Sequence, residues 1–189
     1  MTRFYKTILN FAALAALSAV FTLPAHAEEK AKKADTPVTQ YAQETEELVK
    51  SLNEEQADKY YKIRNVHGVI RSVKSVEAII DKAVSSCKKE HKDLGKNIEE
   101  RFAEWRVAVR PVISKGNERL EKLILLQDYA KPSQVKQHLK NFDSAAQYGE
   151  SLIDMKPASD EKSCKSLLEN MEKTQADLIR LLEKSIGLE

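Results

Sequence analysis

In the stretch "RNVHGVIR", residues 64–71, Arg64, His67 and Arg71 are spaced i, i+3 and i+7, so a helix would project them from neighbouring turns on one side. Gly68 removes bulk among them, and a glycine inside a helix costs about 1 kcal/mol relative to alanine. Two guanidiniums and an imidazole around such a notch suit a carboxylate, a phosphate or an acidic loop of a partner. The same residues also have a purely structural use: His67 filling a helix seam, Gly68 permitting a close crossing and both arginines meeting glutamates. A second cluster, Trp105, Arg106 and Arg110 in "FAEWRVAVRP", leads directly into Pro111. A proline inside a helix lacks the amide donor and crowds the preceding turn, so it should kink or split the element. A pocket opened by that kink would be lined by an aromatic ring and two arginines. The structural reading places Phe102, Trp105 and Val109 in a core, with Arg106 and Arg110 at its edge. Taken together, Arg64, His67, Arg71, Trp105, Arg106 and Arg110 are the candidate ligand-binding residues.

Other chemistry finds little footing. His67, His91 and His138 are scattered, with neither HExxH nor HxxxH spacing and no repeated Glu-x-x-His pattern of the kind that builds di-iron bundles. There is no CxxCH for haem attachment, no phosphate-cradling glycine loop and no local signature of a hydrolytic triad. The expectation is a protein without catalytic residues, metal or cofactor.

Cys87 and Cys164 lack the CxxC spacing of thiol redox motifs, so a structural disulfide is the expected use. Each falls about five residues from a helix end, the first before the close of one long helix and the second after the opening of the last. In an up-and-down bundle those ends share a pole and the two helices are neighbours. Closing so long a loop stabilises by about 4 kcal/mol in the chain-entropy account.

The N-terminus sets the compartment in which such a bond persists. Arg3 and Lys6 precede an apolar run from Ile8, and Ala25-His26-Ala27 is the small-x-small pattern cut by a signal peptidase. Residues 1–27 therefore read as a signal peptide cleaved after Ala27, too short in its apolar part to span a bilayer. The alanine-rich core suggests bacterial export to the periplasm, with secretion the alternative. The 31 basic and 29 acidic residues of the full chain become level once Arg3 and Lys6 are removed. Such a chain has no sustained positive field, so nucleic acid is not an expected partner.

Residues 28–37, "EEKAKKADTP", read as a flexible lead, and 38–189 as a single helical domain. Ser51 with Glu54 makes a capping box. From there Leu52, Gln56, Tyr60, Ile63, Ile70, Val73, Ile80, Val84 and Cys87 recur at spacings of three and four. Further runs carry Ile98, Phe102, Trp105, Val109, Val112 and Leu120, then Val135, Leu139 and Phe142, and finally Leu167, Met171, Leu178 and Leu182. The breaks fall near residue 92, at Lys131-Pro132-Ser133 and at "MKPASDEK", and Gly187 is placed to end the last helix. The fold expected is all-α, an antiparallel up-and-down four-helix bundle with long first and second helices and one disulfide staple. Leu52 to Gln56 in "LNEEQADKYY" resembles the Leu-x-x-x-Gln helix starts of small helical periplasmic stress chaperones. The resemblance covers those residues alone and implies that a bundle in this compartment can act without catalytic groups. The functional expectation is a binding or accessory protein that meets another envelope protein or a second copy of itself. A bundle taking a small anionic ligand near Pro111 is the competing reading.

Overall fold

The computed structural model describes residues 35–188; the expected signal peptide and most of the expected lead lie outside them. The described residues are helical, with no strand: α1 Pro37–Ser51, α2 Glu54–Glu90, α3 Lys92–Leu126, α4 Pro132–Ser151 and α5 Glu161–Ile186. Five helices stand where four were expected. The additional one is α1, and its start is chemically well specified. Thr36 caps it through a reciprocal bond pair with Thr39, and Pro37 occupies the first helical position, where a missing amide costs nothing.

Ser51 closes α1 instead of opening the long helix. Leu52 is extended, and Asn53 is the cap of α2: its Oδ1 accepts from Gln56 N at 2.9 Å, while Asn53 N donates to Gln56 Oε1. The residues that resemble the chaperone helix starts thus bridge the break between two helices. Acidic Glu54 and Glu55 in the first turn of α2, with Lys88 and Lys89 in its last, match the sign of the helix dipole at each end.

The architecture is organised around the antiparallel pair α2 and α3, which reverse direction at His91. Pairing of Lys88 with Glu99 near the turn and of Arg106 with Glu77 and Asp81 further along fixes their register. The turn is so tight that a Cβ on Gly95 would lie 2.2 Å from Lys88 Cα, a distance no side chain can occupy. Helix α3 is not split at Pro111; it runs unbroken through it. The carbonyl that loses its partner belongs to Val107, an exposed residue where water can replace the missing donor.

Two different covers close this hairpin. Along the half nearer His91, α5 packs on α2 and α3, and Cys87 is bonded to Cys164 with Cα atoms 5.9 Å apart. Along the other half, α4 lies against α2 and α3, and α1 folds back to pack on α4. The result has a cysteine pole and a tyrosine pole. Ile98, Phe102, Trp105, Val109, Val112, Met171 and Leu182 form a continuous apolar core with Ile63, Val66 and Ile70 of α2. Where α5 ends, Ile186 packs so closely on Gly116 that a Cβ there would lie 3.1 Å from its Cδ1, inside ordinary contact distance, and Gly187 turns left-handed at φ 73° to stop the helix.

The turn between α3 and α4 is built on Gln127, a buried amide with all its capacity used. Its Nε2 donates to the carbonyls of Ile124 and Ala130, and its Oε1 accepts from the amides of Tyr129 and Ala130.

Candidate functional site

Arg64, His67 and Arg71 do share one side of α2, but α4 divides them. His67 Nε2 is 2.8 Å from Asp143 Oδ1. Arg71 makes a two-pronged contact with Glu150, at 2.7 and 2.9 Å, and its Nε lies 3.5 Å from Asp143. Ser75 adds a third bond to the Glu150 carboxylate. The Arg71 bond holds the Glu150 carboxyl below its ordinary range, and Glu150 in turn secures the charge of Arg71. Arg64 turns to the opposite flank of α2, its guanidinium 6.0 Å from the Phe142 ring, and has no carboxylate partner among the described residues.

The second cluster does not join the first. Trp105 is a core side chain stacked beside Phe102. Arg106 lies over the Phe102 ring at 4.2 Å and reaches Glu77 and Asp81 of α2. Arg110 is exposed and forms no ion pair among the described residues. Gly68 does not serve a tight crossing, since a Cβ there would meet only Phe142, at an ordinary 3.8 Å.

Instead of one pocket at Pro111, α2 carries a groove on each flank. The first, about 720 Å³, lies between α2 and α5 with Phe142 of α4 at one end. Its walls are mostly apolar, with Val69, Val73, Val76, Leu178 and Leu181 among them, and Trp105, Arg64 and the polar side chains of Asn65 and Ser72 also line it. Leu181 is 60% exposed, so the wall continues onto the surface. The second groove, about 830 Å³, lies between α2, α3, α4 and the segment after α4. Ile70, Leu120, Ile124 and Leu139 supply its floor, while Ile79, Ile153 and Met155 form an exposed apolar rim. Lys74, Lys82, Lys136 and Lys140 also line it, together with the His67–Asp143 and Arg71–Glu150 pairs. Neither groove is lined by Pro111 or Arg110.

A third cleft, about 500 Å³, opens at the tyrosine pole between α1, α2 and α4. Tyr60 Oη lies 3.1 Å from His138 Nε2 and 3.5 Å from Tyr41 Oη, while Thr45 Oγ1 approaches the same imidazole nitrogen at 3.4 Å. Burial pushes the Tyr60 phenol above its ordinary range and the Tyr129 phenol up to about 12. Burial also draws His138 below the usual histidine value, against the opposing pull of Glu44. These groups are tuned to remain neutral at physiological pH, as befits a polar core that holds α1 in place.

Sequence reasoning missed the lysines of the second groove and the carboxylates facing them. A signal was present: His67, Arg71, Lys74, Ala78 and Lys82 follow one another at helical spacing, a non-core stripe beside the buried one. Among the described residues there is no group of three or more His, Cys, Asp or Glu side chains arranged to hold a metal ion, and no helix is long and apolar enough to cross a membrane. In comparison with known proteins, the chain matches no family model, no curated protein and no solved structure.

Proposed function

We propose that this chain is a non-enzymatic helical binding or accessory protein, exported to the periplasm after cleavage behind Ala27, that takes hold of a segment of another envelope protein. The observation that carries this reading is the apolar surface left open on both flanks of α2. Large apolar side chains normally bury, and a contiguous set of them bordering a concave surface marks an interaction site. Here Val76 and Leu181 border one groove, and Ile79, Ile153 and Met155 the other, all exposed. Export is supported by the disulfide, which persists in oxidising compartments. A small anionic ligand near Pro111 has less to rest on. His67, Arg71 and Arg106 already meet carboxylates of their own chain, and an incoming anion would have to displace them.

Photo-crosslinking in the chain's own host tests the reading, with the reactive residue placed at Leu181, at Met155 and, as a control, at exposed Lys173. The expected result is a discrete protein adduct from a groove position and none from Lys173. Equal labelling at all three, or no adduct together with a small molecule retained in the native mass, would overturn it.

A further inference from the structure

We infer that the groove between α2 and α4 receives an amphipathic helix whose apolar stripe is bordered by carboxylates. The inference rests on the reading of the chain as a binding protein and specifies the partner's chemistry.

Five arginines and lysines line that groove, Arg71, Lys74, Lys82, Lys136 and Lys140, against three carboxylates. The carboxylates are already engaged: Asp143 with His67 and Arg71, Glu150 with Arg71, Glu121 with Lys136. Lys74, Lys82 and Lys140 have no ion pair among the described residues. Elsewhere some surface lysines meet a carboxylate one helical turn away, as Lys62 meets Asp58 and Lys173 meets Glu169, and others, such as Lys115, Lys122 and Lys162, also have no ion pair among the described residues. What sets these three apart is their placement around one apolar groove, on two walls, with Lys74 and Lys82 on α2 and Lys140 on α4.

Between those walls the floor is apolar, and its edge is extended by Ile79, Ile153 and Met155, which are 41%, 59% and 50% exposed. An occupant must then be apolar along its centre and negative along both margins. The groove follows α2 from His67 to Lys82, roughly 22 Å of helix, or about four turns. That is the reach of a helix docking through anchors at i, i+3, i+4 and i+7. A flat bilayer would meet the lysines and the rim but leave the recessed floor unfilled.

The probe is a synthetic peptide of about 16 residues with a leucine stripe bordered by glutamates, compared with a twin bordered by lysines. Binding to the whole oxidised protein is followed by fluorescence anisotropy. The glutamate peptide is expected to bind about tenfold or more tightly than its twin, and to weaken as salt is raised. The triple variant Lys74→Glu, Lys82→Glu and Lys140→Glu should reverse that preference. All three positions are exposed surface lysines, and an unchanged thermal unfolding midpoint verifies the fold. Ile79→Asp should reduce binding of either peptide at least tenfold. Equal binding of the two peptides, binding of neither, or an unaltered preference in the triple variant overturns the inference. So does binding to phosphatidylglycerol vesicles without binding to the peptide. A crosslinked adduct at Leu181 alongside failed peptide binding would sink this inference while leaving the proposed function standing.

Discussion

At the cysteine pole α2, α3 and α5 close on one another through Val84, Ile98, Phe102 and Met171, with a covalent bond fastening the end. At the tyrosine pole α1, α2 and α4 meet through Tyr41, Tyr60, His138 and Thr45, and the adjoining turn is held by the buried amide of Gln127. The first half is held by burial and a crosslink, neither of which gains or loses a proton near neutral pH. The second depends on hydrogen bonds whose geometry must be met and whose partners titrate. The difference teaches that two halves of one helical chain can share a seam of apolar residues along α2 and still respond to different solution conditions.

Replacing Cys87 and Cys164 together by alanine should give the largest change, a loss of about 4 kcal/mol in urea unfolding. Amide exchange should then accelerate in α5 before it does in α4. Comparable acceleration in both would mean that the staple acts on the whole molecule and that the division into halves is wrong.

Gln127→Leu strikes the other half. It leaves the amides of Tyr129 and Ala130, and the carbonyls of Ile124 and Ala130, without their side-chain partner. The expected cost is about 2 kcal/mol, with faster exchange at the start of α4 and in α1. An effect as large at the cysteine pole would again break the comparison.

The smallest and most selective effect is that of pH. Burial lowers the His138 proton affinity, helped by the charge of Arg64 and opposed by Glu44. A base whose folded pKa is depressed supports the fold fully above its unfolded value of about 6.5, and that support is lost as pH falls towards the folded value. Acidification below neutrality should therefore loosen α1, seen as accelerated exchange of its amides, while the amides of α5 stay protected. His138→Gln should flatten that response. An unchanged response in the variant would place the sensitive group elsewhere.

Much of the fold could be read from periodicity, because burial leaves its mark every three or four residues. Ile63, Ile70, Val84, Ile98, Phe102, Trp105, Leu139 and Met171 are all core, and the cysteines are bonded. Helix α1 escaped notice because Tyr41 is the one residue it buries, so it leaves too little pattern to detect. The break at Leu52 was hidden by an apolar spacing that continues across it, and two overlapping capping boxes compete there. Asn53 with Gln56 prevails over Ser51 with Glu54 once Leu52 is extended. The candidate site failed to assemble for a different reason. Spacing along α2 places Arg64, His67 and Arg71 on one side, but the carboxylates of Asp143 and Glu150 arrive from a helix more than seventy positions away. Local sequence carries no record of that encounter.

The bond at the cysteine pole encloses α3 and α4 entirely and leaves α1, nearly all of α2 and nearly all of α5 outside its loop. Under tension applied at the two ends, the enclosed helices bear no load along their own chain, because force passes from Cys87 directly to Cys164. The oxidised protein can therefore lengthen to only about half the contour of its reduced form. As a link between two anchored bodies it is a short tether when oxidised and a long one when reduced.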